Sequence, residues 1–190
     1  LHLCSHNLES IDTTSTTHKL LLEVCMAAKY EGDSIRGDHA QHQLTNKGSQ
    51  LCTVLARSFA DIGDIVRGRD LFYGNTQEKE KRKQLEENLQ KIFKQIHDNL
   101  KDKEAEKHYK GDTDKNYYKL REYWWALNRQ DVWKALTCKA DNSNRYFRAT
   151  CSDAKGESVA SHKCRCKDKS FTKETDQVPT YFDYVPQYLR

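Results

Sequence analysis

With 190 residues the chain is long enough for one domain with a buried core, and two domains are not expected. A net charge of +4 is too mild for a polycation, so composition gives no reason to invoke nucleic acid. Ten Tyr and three Trp speak against a disordered chain, and only two Pro beside many Lys, Glu and Gln favour helices over a sandwich or barrel.

Residues 1–16 read as a polar, irregular lead-in whose one fixed point is Cys4. A helix is predicted to start at Thr16 or Thr17, either of which can cap it. Through Leu20, Leu21, Leu22, Val24, Cys25, Met26, Ala27, Ala28 and Tyr30 it is apolar on most sides, as a buried helix is. Gly32 and the polar stretch 38–46 are expected to end it. A second helix is predicted from Ser49 to Val66, where Leu51, Leu55, Phe59, Ile62 and Val66 recur at spacings of three and four; Gly68 is its stop. A third, from Thr76 to about Lys107, carries the narrow stripe Leu85, Leu89, Ile92, Ile96 and Leu100, as a helix on the surface of a bundle would. A fourth, capped by Asp114, presents Tyr117, Leu120, Trp124 and Leu127 on one face. Asn128 is expected to break or recap it before Val132, Trp133 and Leu136.

Residues 138–180 form a cysteine-rich loop, in which disulfides replace an apolar core as the ordering force. Pro186 suits the first position of a helix, so 181–190 read as the start of a helix that is cut short. The predicted fold is mainly α: a helix bundle over 17–137, with long loops and disulfides, taken from a larger domain.

No nucleophile elbow, P-loop, dinucleotide-binding glycine motif or H-E-x-x-H is present, so an enzyme is not expected, nor a cofactor. No apolar run approaches membrane-spanning length, so direct membrane insertion is not expected either. Asp61 and Asp64 lie one helical turn apart, but Arg57, Arg67 and Arg69 beside them make ion pairing the simpler reading. His162, Cys164, Cys166 and Cys151 are zinc-type ligands in a spacing unlike that of the common fingers, which favours disulfides over metal. Seven cysteines leave one without a partner inside the chain. Basic residues concentrate in two places, the third helix (Lys79, Lys81, Arg82, Lys83, Lys91, Lys94, Lys101 and Lys103) and the cysteine loop (Lys163, Arg165, Lys167, Lys169 and Lys173). Either suits sulfated sugars, and the loop, with fewer acidic neighbours, is the sharper candidate.

Several blocks then become specific. Leu55-Ala56-Arg57-Ser58-Phe59-Ala60-Asp61-Ile62-Gly63-Asp64-Ile65-Val66-Arg67-Gly68-Arg69-Asp70 resembles the first hallmark of alpha-type Duffy-binding-like domains. These belong to the erythrocyte membrane protein 1 family of variant surface antigens of the malaria parasite Plasmodium falciparum. Asp183-Tyr184-Val185-Pro186-Gln187-Tyr188-Leu189-Arg190 resembles the second hallmark. Val24 to Gly32, Tyr123 to Arg129, Val132 to Cys138 and Tyr146 to Cys151 also fit. Four cysteines between the hallmarks, with Arg121-Glu122-Tyr123, are similar to the four-cysteine class of these domains.

The resemblance implies an extracellular adhesion module on the infected-erythrocyte surface, anchored by a segment outside this chain and subject to antigenic variation. The implied partners are host receptors: sulfated glycans such as heparan sulfate, blood-group sugars or complement receptor, in cytoadherence or rosetting. Neighbouring domains of the same receptor are further partners, and the alternative role is a spacer that supports them. It places residues 1–190 as mainly the middle helical subdomain. The glycan-binding candidates are Lys163, Arg165, Lys167, Lys169, Lys79, Arg82, Lys83, Lys91 and Lys94. Among the cysteines, Cys25 and Cys52 sit on consecutive helices and are expected to bridge if their faces meet. Cys138, Cys151, Cys164 and Cys166 can pair three ways, and Cys4 would find its partner outside the fragment.

Overall fold

A computed structural model describes residues 17–46, 50–71, 74–100, 107–109, 116–153, 156–167 and 177–190. The elements are α1 (Thr17–Gln43), α2 (Leu51–Arg67), α3 (Thr76–Asp98) and α4 (Tyr118–Leu136). A short antiparallel hairpin follows, β1 (Ala149–Asp153) with β2 (Gly156–Val159), and then two 3-10 turns, Phe182–Tyr184 and Gln187–Leu189.

α1 does not stop at Gly32. Its buried residues continue at helical spacing through Glu31, Ile35 and His39. Gly32 serves a close helix crossing instead of a turn: a Cβ there would lie 2.0 Å from the Leu136 carbonyl oxygen. Glu31, buried on the same face, accepts a hydrogen bond from Ser58 Oγ of α2 at 3.1 Å.

The stripe predicted for α2 is the centre of the core. Leu51, Leu55, Phe59, Ile62 and Val66 are buried, and Phe59 packs between Trp125 at 5.1 Å and Trp133 at 5.2 Å. Gly68 ends the helix at φ 71, where L-residues are strained, and the Arg69 amide donates to the Asp64 carbonyl at 2.7 Å. A Cβ at Gly68 would also strike the Arg121 guanidinium at 2.9 Å.

α3 starts on a capping box, in which the Asn75 side chain accepts from the Glu78 amide and Glu78 accepts from the Asn75 amide. It ends at Asp98, earlier than expected, because the Asn99 side chain donates to the Gln95 carbonyl at 2.8 Å. Leu85, Leu89, Ile92 and Phe93 are buried, and Phe93 meets Trp124 edge-on.

α4 is continuous. Asn128 does not break it, since its side-chain amide donates back to the Trp124 carbonyl at 2.7 Å. Leu127, placed by periodicity on the core face, is 63% exposed; Trp125, Val132 and Trp133 carry the core instead. The expected cap Asp114 lies outside the described residues, and Tyr117 at φ 51 precedes the helix.

The cysteine loop is more ordered than its pattern announced, since the hairpin lies within it. Pro186 does not open an α-helix here; only the 3-10 turn Gln187–Leu189 follows it. No helix among the described residues is long and apolar enough to cross a membrane.

Candidate functional site

The hallmark blocks meet in a buried polar network. Asp183, 1% exposed, accepts from Trp125 Nε1 at 2.9 Å and from Arg129 Nε and Nη2 at 2.7 and 2.8 Å. Its backbone carbonyl accepts from Arg67, whose side chain also donates to the Gly63 carbonyl at 2.9 Å and to Asp64 Oδ1 at 3.0 Å. Arg190 reaches Asp61 at 2.9 Å and Asp64 at 2.5 Å. Burial pushes both carboxyls above their usual range, against the pull of Arg190. The aspartate pair is thus ion-paired, as the sequence suggested, though Arg190 is a partner the sequence did not point to.

Arg121, also fully buried, crosses from α4 to the end of α2. It donates to the Val66 carbonyl at 2.6 Å and the Ile65 carbonyl at 3.0 Å, and grips Glu86 of α3 with two further bonds at 2.6 and 2.8 Å. A guanidinium on orphan carbonyls satisfies the end of α2 and complements its dipole. Arg165 does the same for α4, donating to the Lys134 carbonyl at 2.7 Å and to Thr137 Oγ1 at 2.9 Å.

Two disulfides order the loop. Cys52 in the first turn of α2 bonds Cys164, and Cys151 on β1 bonds Cys166. The bridge expected between Cys25 and Cys52 is therefore not made, because Cys52 faces the loop rather than α1. Cys25 carries a half-buried free thiol, which burial and the Asp131 charge push up to about 11. Cys138, expected among the bridged four, is an exposed free thiol, and Cys4 lies outside the described residues. With Cys151, Cys164 and Cys166 all in disulfides, the zinc-type set around His162 has no thiolates to offer.

The bridge to Cys164 has a local consequence. Lys163 and Cys164 both have positive φ, at 51 and 55°, with the Arg165 amide bonded to the His162 carbonyl at 2.9 Å. This is the pairing of a tight turn that ordinarily takes Asn and Gly. Here Lys and Cys occupy it, and the covalent tie to α2 holds it closed. The turn sets Lys163 beside Arg36 of α1 and Lys139 just past α4, around an open groove of about 350 Å³ that Cys138 and Asp141 also line. Lys139 pairs with Asp33 at 2.9 Å. Arg36 and Lys139 were missed by sequence reasoning, since nothing local marks them as neighbours of Lys163.

The other predicted cations do not converge on this groove. Lys167 is half-buried nearby in the chain, and Lys169 lies outside the described residues. On α3, Lys79, Lys83, Lys91 and Lys94 are exposed, with Glu87 between the two pairs, while Arg82 Nη1 turns inward to 3.7 Å from Asp70. Asp70 follows the C-terminal end of α2, whereas Cys164 is tied to its first turn. Arg82 and the bridged turn at Cys164 therefore sit near opposite ends of a 17-residue helix, which is roughly 25 Å long at 1.5 Å per residue.

The family model described as "Duffy binding domain" matches residues 1–190. Among solved structures, the chain is similar to the N-terminal NTS-DBL1-alpha and CIDR-gamma double domain of PfEMP1 from the Plasmodium falciparum varO strain. The identity is 44% with a TM-score of 0.75, over 99% of this chain and 25% of that one. It is also similar to the NTS-DBL1(alpha-1) domain of the same strain, at 44% identity and a TM-score of 0.74, over 99% of this chain and 40% of that one. A third likeness is to the DBLbeta domain of PfEMP1 IT4var13, described as bound to ICAM-1, at 31% identity and a TM-score of 0.66, over 99% of this chain and 40% of that one. The chain thus spans 25% and 40% of the first two relatives. No curated protein sequence matches it.

Proposed function

The chain belongs to the Duffy binding domain family, and from that premise we propose that it is an extracellular adhesion module of the infected-erythrocyte surface. Its partner is a host cell-surface receptor, and the chemistry of the exposed groove suits a sulfated glycan. Support for receptor binding in general comes from the PfEMP1 DBLbeta neighbours described as ICAM-1-binding. The span of 25–40% of the DBL1-alpha chains is in keeping with a middle subdomain that works beside neighbouring segments.

One observation carries the glycan reading. Arg36, Lys139 and Lys163 come from three separate parts of the chain to one open groove, and Lys163 is held there by a bridged turn. Several charge-assisted contacts of this kind bind sulfate groups, each weakly, and weaken with salt. The inward turn of Arg165 and Arg82 takes those two side chains out of that role.

The test is retention on immobilised heparin across a salt series, for the chain and for an Arg36→Ala/Lys163→Ala double variant. The proposal expects the variant to elute at clearly lower salt, with a shallower dependence of affinity on salt. Identical elution of the two proteins would remove the groove from the account.

A further inference from the structure

A second groove lies at the other end of α2, between that helix end, the first half of α3 and the start of α4. Its volume is about 310 Å³, at the small end of ligand clefts. Both signs of charge line it, Asp70 and Glu86 against Arg82 and Lys83. The two carboxylates differ in what they have left to offer. Glu86 Oε1 already accepts from Arg121 at 2.6 Å and from Gln90 at 3.1 Å, and Oε2 accepts from Arg121 at 2.8 Å. Asp70 stands 3.7 Å from Arg82, an ion pair too long for a hydrogen bond. Gln90 also donates to Asn116 Oδ1 at 3.1 Å, and the Asn116 amide group is the end of the carboxamide which that bond leaves over. Lys83 is exposed, and so is Tyr118, at 47%.

We propose that this groove binds a phosphocholine group, in which a phosphodiester is joined through a short ethyl link to a trimethylammonium. A ligand that carries both charges answers a lining that carries both, whereas a polysulfated chain would be repelled by Asp70 and Glu86. Glu86 decides between a primary and a quaternary ammonium. A primary ammonium has three hydrogen bonds to donate, and the Glu86 oxygens are already taken up by Arg121 and Gln90. A trimethylammonium donates none. It needs only negative charge and an aromatic face, and Tyr118 is the aromatic side chain that lines the groove. The Lys83 ammonium and the Asn116 amide group are the donors for the phosphate oxygens. Phosphocholine heads a membrane lipid or sits on a soluble carrier, and the test separates these sources. The groove shares no lining residue with the one around Lys163, so the site is additional to the glycan groove and independent of it.

Saturation-transfer NMR with glycerophosphocholine tests the site, with glycerophosphoethanolamine as the primary-amine control. The expected result is transfer to the trimethylammonium protons, and clearly weaker binding of the ethanolamine compound. Tyr118→Ala should weaken glycerophosphocholine binding about tenfold, the loss of one cation–π contact. Tyr118→Phe keeps it, which separates loss of the ring from loss of the fold. Lys83→Ala should also lower the affinity, while Arg36→Ala/Lys163→Ala leaves it unchanged. Co-sedimentation with phosphatidylcholine vesicles then assigns the source. Pelleting that glycerophosphocholine reverses marks a membrane headgroup, and binding in the NMR experiment without such pelleting marks a soluble ligand. No transfer, transfer indifferent to Tyr118→Ala, or equal binding of the ethanolamine compound would each overturn the assignment. Heparin retention governed by Arg36 and Lys163 is a separate readout, so the two proposals fail separately.

Discussion

Asp183 Oδ2 accepts the indole N–H of Trp125 at 2.9 Å, which ties the last hallmark block to the aromatic core of α4. The same carboxylate holds Arg129 by two bonds, so one side chain satisfies two buried donor groups. Removing it leaves a mostly buried guanidinium without its counter-charge. Asp183→Ala should therefore destabilise by about 3–5 kcal/mol, and Asp183→Asn, which keeps one acceptor oxygen, by about 1–3. Urea midpoints at unchanged m-value measure both. Equal and small losses would contradict the role given to this carboxylate.

Two glycines of α1 should respond in opposite directions. A Cβ at Gly32 meets the Leu136 backbone at 2.0 Å, whereas one at Gly37 meets nothing within 4 Å. Gly32→Ala should cost about 1–3 kcal/mol by forcing α1 off α4. Gly37→Ala should gain up to about 1 kcal/mol from helix propensity alone. Thermal or urea unfolding of the two single variants reads the sign directly.

The free thiols differ in reactivity. Cys138 is exposed, while Cys25 is half-buried with its thiol pushed up to about 11. Native-state alkylation at mildly alkaline pH should label Cys138 well before Cys25, as read by peptide mass mapping. The linkage has a definite sign. The folded state holds the Cys25 proton more tightly than the unfolded chain, whose thiol titrates near its ordinary value of 9.0. Its contribution is complete below that value and is lost as pH rises toward 11. Stability should fall across this window in the chain and fall less in Cys25→Ala.

The two bridges should contribute unequally. Cys52–Cys164 spans 112 residues and Cys151–Cys166 spans 15. Loop-closure entropy then gives on the order of 4–5 kcal/mol for the first and about 3 for the second. Cys52→Ala/Cys164→Ala should also lower heparin retention, because it frees the turn that presents Lys163. The Cys151→Ala/Cys166→Ala pair should lower stability with a smaller effect on retention. Both readouts come from the same purified variants.

Much of the bundle was legible because burial imposes a period. Leu51, Leu55, Phe59, Ile62 and Val66 announced α2, and Gly68 announced its end. What periodicity misled on were residues with a local alternative. Gly32 reads as a stop until a second helix needs the space, and Asn128 reads as a breaker until its amide finds the Trp124 carbonyl. The hairpin β1–β2 is short and mostly polar, with no alternation to betray it. Its order comes from the Cys151–Cys166 bridge and from the Tyr146 amide on the Ala160 carbonyl, both pairings across the loop.

The candidate site was half legible for the same reason. Lys163 stood out as part of a basic run, but Arg36 and Lys139 sit in ordinary helical and turn sequence. Only the crossing of α1 over the end of α4 brings them to Lys163. Arg165 shows the converse. It looked like one more ligand-facing cation, yet Lys134 and Thr137 of the neighbouring helix end hold its guanidinium inside the protein.

The adhesion claim is tested most directly by flow-cytometric binding of the labelled chain to intact red cells and to endothelial cells, with and without enzymatic removal of heparan sulfate. The account predicts saturable binding that falls after the enzyme and in Arg36→Ala/Lys163→Ala, but not in Gly37→Ala. Absence of saturable binding to either cell type, by a chain whose unfolding is cooperative, would contradict it.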